Sequence, residues 1–170
     1  MKRIIFFVIA LVSLGGVGSI AAQEPATQSA SPERAAVTDE ATGLVTIESA
    51  YSVEETMNNL EAAIDEQGLI VVARIDHAAN AEGADLELRP TQLLVFGNPE
   101  LGTQLMQAEQ AVGIDLPQKF LAWEAEDGTV YLGWNDPSLL AERHGLEDQD
   151  EVLDQVSMAL ETLAEGATAP

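Results

Sequence analysis

The chain has 170 residues, with 29 acidic side chains, 7 basic side chains, a formal net charge of −22 and no cysteine. This length suggests one domain with appendages, and the charge excludes nucleic acid and disfavours anionic membrane surfaces as partners, because a polyanion repels phosphate groups. The absence of cysteine excludes disulfides and a lipidated amino-terminal cysteine, so the fold must be held by its core.

The amino-terminal segment, residues 1–22, has the three parts of a secretory signal peptide. Two basic residues precede an unbroken apolar run from Ile4 to Leu14, and the small residues Ser19 and Ala21 occupy a cleavage-like position. We therefore expect export to the periplasm or the extracellular space. An uncleaved membrane anchor is the alternative, although the run is shorter than the roughly 20 residues that cross a bilayer.

Three further boundaries follow from composition. Residues 23–42 are rich in Ala, Pro, Ser, Thr and Gln and contain almost no large apolar side chain, which predicts a disordered linker. The folded α+β domain is predicted over residues 43–166, and residues 167–170 form a tail.

The domain is predicted to open with a strand and an amphipathic helix. The strand begins near Leu44, where apolar and polar residues alternate. Ser52 and Glu55 have the spacing of a capping box, which predicts the start of the helix, and Gly68 predicts its end. One helical face carries four apolar residues, namely Val53, Met57, Leu60 and Ile64.

Two more strands and a helix follow. Residues 69–76 form a strongly apolar strand, an Ala-rich connection has room for one helical turn, and residues 91–96 form the next strand. Asn98 is a favourable N-cap and Pro99 fits the first helical position, so this corner is predicted to start a helix rather than to bind phosphate. We expect Leu101, Leu105 and Ala108 to face the core from that helix.

The carboxyl half predicts a hairpin and two helices. Asp127 and Gly128 separate two apolar, aromatic runs, which is typical of a hairpin turn. Asp136 is predicted to cap a short helix that begins at Pro137 and is ended by Gly145. A last helix presents Val152, Val156, Leu160 and Leu163 and should stop at Gly166. This order predicts an α+β fold, with helices packed on one face of a mostly antiparallel sheet.

Seven short segments give the chain a clear resemblance to the bacterial family named domain of unknown function 302 (DUF302), over roughly residues 50–163. They are Ile75-Asp76-His77, Phe96-Gly97-Asn98-Pro99, Gly102-Thr103, Leu105-Met106, Asp115-Leu116-Pro117, Trp123-Glu124 and Asn135-Asp136-Pro137. The resemblance implies a fold similar to one half of the TATA-binding protein, β-α-β(4)-α. It implies no activity and no catalytic residues, and the leucine usual after this proline is here Gln118.

Four residues are candidates for ligand binding: His77, Asn98, Trp123 and Asn135. His77 ends a strand, where functional side chains often emerge, or else it caps the next turn. Trp123, with Tyr131 and Trp134, forms either one wall of a pocket or a cover for the core. Any pocket is expected to lie between the hairpin end, the Asn98 corner and His77.

The sequence predicts no metal site and no cofactor. Its other histidine, His144, is expected to cap a helix terminus. The leading interpretation is a non-enzymatic exported module that binds a small molecule or a protein. The alternative is a hydrolase-like or metal-assisted enzyme that uses His77 and a nearby carboxylate, and a homodimer formed through an open sheet face or edge is a third possibility.

The acidity itself generates a prediction. Salt shortens the screening length from about 8 Å at physiological ionic strength to about 3 Å at 1 M, which relieves repulsion among carboxylates. If the protein comes from a salty habitat, its melting temperature should rise between dilute buffer and molar NaCl. A flat or falling curve would instead favour an ordinary solubility surface.

Overall fold

The computed structural model describes residues 35–170, which form a six-stranded antiparallel sheet and five α-helices. The strands are β1 Val37–Asp39, β2 Leu44–Ser49, β3 Ile70–Asp76, β4 Thr91–Gly97, β5 Gln118–Glu124 and β6 Val130–Asn135. The helices are α1 Val53–Glu66, α2 His77–Glu82, α3 Pro99–Ala108, α4 Ser138–His144 and α5 Asp150–Thr168, with 3₁₀ helices at Gln110–Ile114 and Glu147–Gln149.

The sheet order is β1-β2-β6-β5-β4-β3, and every neighbouring pair is antiparallel. The predicted α+β fold is confirmed, including the sequence of strand, helix, four strands and helix. The structure adds β1 at one edge. Strands β5 and β6 are joined by the predicted hairpin turn, in which Gly128 has a φ of 87° that a residue with a side chain rarely adopts.

The main hydrophobic cluster lies between the sheet and the pair α1 and α5. Met57 and Leu60 of α1 and Val156 and Leu160 of α5 are all buried, as their spacing predicted. The sheet contributes alternate residues, because successive side chains of a strand point to opposite faces. The remaining large members from the strands are Val45, Ile47, Leu94, Phe96, Phe120, Val130, Leu132 and Trp134.

A second, smaller cluster lies under α3, α4 and the amino-terminal part of α5. Its buried members are Leu105, Val112, Leu140, Leu146, Val152 and Leu153. Leu101 is half-buried and packs against both clusters, so the two meet along α3.

The predicted helix signals of α1 are present. Ser52 Oγ accepts a hydrogen bond from the Glu55 N–H at 3.3 Å, and the Ser52 N–H donates to Glu55 Oε2 at 3.2 Å. The Ser52 hydroxyl also donates to Glu55 Oε2 at 2.7 Å, and this bond, together with that from the Ser52 N–H, lowers the pKa of the Glu55 carboxyl because both stabilise its charged form. Gly68 follows the helix with a φ of 68°.

Three sequence predictions are wrong in detail. The linker predicted over residues 23–42 ends in β1, which pairs with β2 and therefore gains backbone hydrogen bonds that composition does not reveal. The tail predicted over residues 167–170 begins inside α5, where Thr168 is buried and its carbonyl accepts from the Ala50 N–H at 3.0 Å. Ala108, which was predicted to face the core, is exposed at the end of α3.

The signal peptide predicted at residues 1–22, and the linker as far as residue 34, lie outside the described residues.

Candidate functional site

A cleft of about 540 Å³ opens where the two hydrophobic clusters meet. Phe96 and Leu160 of the main cluster line it on one side, and Leu105 of the second cluster lines it on the other. The remaining lining is mostly apolar and includes no charged side chain. Its geometry suits a small, mainly apolar molecule, because ligand sites typically enclose about 300–1,000 Å³.

Four of the seven segments that carry the family resemblance contribute to this cleft. They bring together the corner after β4, two parts of α3 and the loop before β5. The lining residues from these segments are Phe96, Gly97, Asn98, Pro99, Gly102, Thr103, Leu105, Met106, Leu116 and Pro117. Segments that are up to about 20 residues apart in the chain therefore converge on one surface.

Gln118, the first residue of β5, lines the cleft and carries an unpaired polar group. Its side-chain Nε2 is buried and has no hydrogen-bond partner among the described residues. The backbone of Gln118 is opposite Phe96 in the β4–β5 ladder, which fixes the residue beside the cleft. A buried donor without an acceptor costs about 1–3 kcal/mol, so this amide needs an explanation.

Asn98 begins α3 as predicted and also lines the cleft. Its Oδ1 accepts hydrogen bonds from the N–H groups of Glu100 at 2.9 Å and Leu101 at 3.4 Å. The N–H groups of Glu100 and Leu101 at the start of α3 are thus satisfied by the Asn98 side chain. The Asn98 amide N–H₂ donates to no other described residue, and Asn98 is one of the polar residues that line the cleft.

A charged cluster holds the cleft wall that carries Gln118. Asp115 Oδ1 accepts from Arg143 at 3.0 Å, and Asp115 Oδ2 lies 2.6 Å from Nε2 of His144. Lys119 donates to the carbonyls of Asp115 at 2.6 Å and Pro117 at 2.8 Å. Partial burial lowers the pKa of Lys119, and the Asp115 carboxylate offsets part of that effect.

His144 occupies the last turn of α4, as predicted, but its ring is committed to Asp115 across the loop. Its side chain is only 8% exposed. The contact fixes α4 to the segment that enters β5, which is a structural role.

The other three predicted site residues lie elsewhere. His77 begins α2, lines neither the cleft nor the second cavity described below, and hydrogen-bonds to no side chain among residues 35–170. Asn135 is exposed at the end of β6. The structure therefore does not bring His77, Asn98, Trp123 and Asn135 together, and the pocket expected between them is wrong. Asp76, beside His77, caps α2 instead by accepting from the Ala79 N–H.

Trp123 has a packing role. Its ring stacks on Tyr131 with the centroids 5.6 Å apart, as a cross-strand pair of β5 and β6. A Cβ atom at Gly133 would lie 2.9 Å from Trp123 Cζ3, so the ring requires glycine there. Trp134, by contrast, is buried in the main cluster with its ring edge-on to Phe120.

A second, wider groove of about 960 Å³ lies at the start of α1, near α2. Five carboxylates line it, among them Asp76 and Glu124 on opposite sides of β4, and Arg89 is the cation in the lining. Arg89 donates to the Glu124 carbonyl at 3.0 Å. Within the described part of the chain, no group of three His, Asp or Glu residues could hold a metal ion.

Sequence reasoning identified Asn98 but missed Gln118. The signal for Gln118 was a departure from the leucine usual in the family, and it indicated only a more exposed edge. What makes Gln118 notable is burial of one amide nitrogen at the junction of two clusters, which depends on the tertiary fold.

Among the residues that the structure describes, no helix is long and apolar enough to cross a membrane.

The fluoride-specific ion channel FluC 1 of Brucella suis biovar 1 is 48% identical over 115 residues, which cover 68% of this chain and 44% of that protein. FluC 1 of Brucella abortus biovar 1 is likewise 48% identical, over 42% of its length. The chain thus spans less than half the length of these relatives.

A solved structure gives the same fold. The crystal structure of an uncharacterized conserved DUF302 protein from Bacillus stearothermophilus superposes with a TM-score of 0.68 at 19% identity, covering 74% of this chain and 98% of that one. The family model described as domain of unknown function DUF302 matches residues 45–163, which include the cleft-lining part of β4, α3 and the start of β5. The chain belongs to the DUF302 family.

Proposed function

We propose that this protein is a non-enzymatic binding module that works outside the cytoplasm and holds a small, mainly apolar molecule in the cleft between its two hydrophobic clusters. The observation that carries the proposal is an uncharged, mainly apolar cleft of about 540 Å³ whose polar lining side chains are those of Gln67, Asn98, Thr103 and Gln118. A few polar groups in an apolar lining are typical of sites that orient small ligands.

The exposed rim of the cleft supports the proposal. Ile70 and Val72 of β3 are 53% and 59% exposed, and Met106 of α3 is 38% exposed. All three line the cleft. An apolar ligand would remove part of this surface from water, at a gain of about 25 cal/mol per Å².

The position of His77 favours binding over catalysis. A general base must reach the reacting group within hydrogen-bond distance, in a site that a substrate can enter. Neither cavity is lined by His77, and no carboxylate of the described residues bonds to it. The cleft itself contains amides and one threonine as its polar side chains, which orient a ligand but do not activate it.

A second candidate function comes from the Brucella relatives, which are named fluoride-specific ion channels. The candidate is a companion role in fluoride handling. The net charge of −22 repels fluoride, so a role beside a channel is favoured over storage of the anion.

The binding function predicts that filling the cleft weakens the binding of an apolar probe. Ala159 of α5 lines the cleft, whereas its neighbour Met158 is 59% exposed. Ala159→Trp should weaken binding of the neutral dye Nile red, measured by fluorescence titration in high salt, by about tenfold or more. The matched control Met158→Trp should bind like the native chain. Equal affinity in both variants would contradict a site in this cleft.

The unpaired amide predicts a stability cost in the empty protein. Gln118→Leu removes the buried donor, so the free energy of unfolding should rise by about 1–3 kcal/mol in denaturant titrations. The control Gln107→Leu alters an exposed glutamine of α3 and should stay within about 0.5 kcal/mol of the native value. A less stable Gln118→Leu protein would show that the native amide is satisfied.

The second candidate predicts a phenotype. Cells that lack the gene should stop growing at a lower fluoride concentration, and the native chain supplied from a plasmid should restore the original tolerance. Unchanged tolerance in the deletion strain would rule out this role.

A further inference from the structure

We propose that two copies of this chain associate through the face of the sheet that points away from α1 and α5, with the two sheets packed on each other around a two-fold axis. This surface, the open face, is centred on one residue from each strand: Val37, Thr46, Gly133, Leu121, Leu93 and Ile75. The dimer is independent of the binding function, because the cleft is bordered by α3 and α5 on the helix side of the sheet.

The six central residues form one row across the sheet. Each is the register partner of the next in the strand order β1-β2-β6-β5-β4-β3. Their neighbours along the strands point to the other side. Leu94 and Phe120, for example, belong to the main hydrophobic cluster beneath α1 and α5. Arg74 likewise donates to Asn58 of α1. The row therefore lies on the side of the sheet opposite these two helices.

The open face is apolar where a sheet face in contact with water is normally polar. In an antiparallel sheet with one wet face, apolar and polar residues alternate along each strand. Residues 93–96 of β4 and 120–123 of β5 instead read LLVF and FLAW. Such continuous apolar runs are typical of strands that are covered on both faces. Because α1 and α5 cover only one face, the sequence of these strands suits a second layer on the other.

The shape of the open face favours another sheet as its partner. The Trp123 ring stacks on Tyr131 and lies over Gly133, where an added Cβ would be 2.9 Å from Cζ3. The ring therefore fills the space above the glycine. Leu121 and Trp123 are half-buried, and neither lines the cleft or the groove near α2. Two such faces can pack about 10 Å apart with their side chains interdigitated.

The charged residues of this side of the sheet lie outside the central row. Asp39, Glu48 and Lys119 belong to the flanking rows. When two sheets pack with their strands aligned to within about 30°, a two-fold axis brings the central row of one copy against the central row of the other. A second copy therefore covers the row without burying a charge in its centre, although the chain has 29 acidic side chains.

The dimensions of the open face are sufficient for a dimer. Five of its six strands have six or seven residues. With strands about 4.8 Å apart and residues about 3.3 Å apart, the face covers roughly 500 Å² per copy. Two copies together then bury about 1,000 Å², which is the size from which an interface is specific rather than a chance contact.

The amino-terminal part of the chain is a poor alternative cover. Residues 23–34 contain no large apolar side chain, and residues 1–22 are predicted to be removed as a signal peptide. A second copy, by contrast, presents the same apolar row. Two-fold contacts between identical surfaces are also the commonest arrangement in homo-oligomers.

The mass of the full chain in solution tests the dimer. We expect light scattering after size-exclusion chromatography in 1 M NaCl to give about twice the mass of one chain, and the mass of one chain after strong dilution. High salt is used because the carboxylates of two copies repel one another, so the dimer should dissociate more readily in dilute buffer. A single-chain mass at high protein concentration in salt would overturn the proposal.

Substitutions in the row test which surface is used. Leu121→Glu and, independently, Leu93→Glu should each raise the dissociation constant of the dimer by about a hundredfold or more, because a carboxylate is then buried in each copy. Both leucines are half-buried, so the monomer should keep a cooperative thermal transition by circular dichroism. Two matched controls should dimerise like the native chain: Leu86→Glu, at a side chain 66% exposed beside α2, and Val71→Glu, at one 39% exposed on the free edge of β3.

Tryptophan fluorescence gives a measurement that needs no substitution. The chain has two tryptophans, of which Trp134 is buried and Trp123 is half-buried beside the row. As the dimer forms, the emission should move to shorter wavelength and become less sensitive to iodide, because the partner covers Trp123.

Three results would overturn an open-face dimer. They are unchanged fluorescence across the mass transition, dimers that persist in both row variants, and a dimer lost in Val71→Glu but kept in Leu121→Glu, which would assign the contact to the sheet edge. Binding of Nile red in the cleft is measured separately, so failure of the dimer leaves the binding function standing.

Discussion

The two hydrophobic clusters meet along α3 without closing on each other, and the properties of the candidate site follow from this. Leu101 contacts both clusters, yet Phe96 and Leu160 on one side and Leu105 on the other still border an open cleft. Apolar space without partner atoms forfeits dispersion contacts, so an open cleft reduces stability. A protein without disulfides has little other stabilisation to offset that loss, which favours a functional origin for the cleft.

The charged side chains lie outside the cleft. The chain is rich in carboxylates and five of them line the groove near α2, while the cleft between the clusters has no charged lining. The cations of the described residues bind neighbouring polar groups. Arg74 donates to Gln92 and Asn58, and both Arg143 and Lys119 donate to Asp115 in the loop before β5. The excess of carboxylates thus makes a neutral apolar molecule the ligand that meets least electrostatic repulsion.

Much of the fold could be predicted because its signals are local. The Ser52 capping box, the Asn98 cap and the hairpin at Gly128 each depend on residues within a few positions, and the stripes of α1 and α5 repeat at helical spacing. Strand β1 could not be predicted, because its only support is pairing with β2. The end of α5 was missed for a similar reason, since Thr168 is held by the distant Ala50.

The site was less accessible to sequence reasoning. Asn98 was found because its helix cap marks the corner that also borders the cleft. Gln118 was not, because a glutamine at a strand end is ordinary until the structure shows its nitrogen buried and unpaired. His77 and Trp123 drew attention as rare residue types, but rarity does not determine position: one begins a short helix and the other stacks on Tyr131.

The most direct test of the account is a crystal of the native protein pressurised with xenon, which enters apolar cavities that already exist. The account predicts xenon density between Phe96, Leu105 and Leu160. Density confined to other places, or side chains of α3 and α5 that close over this position, would contradict a standing cleft between the two clusters.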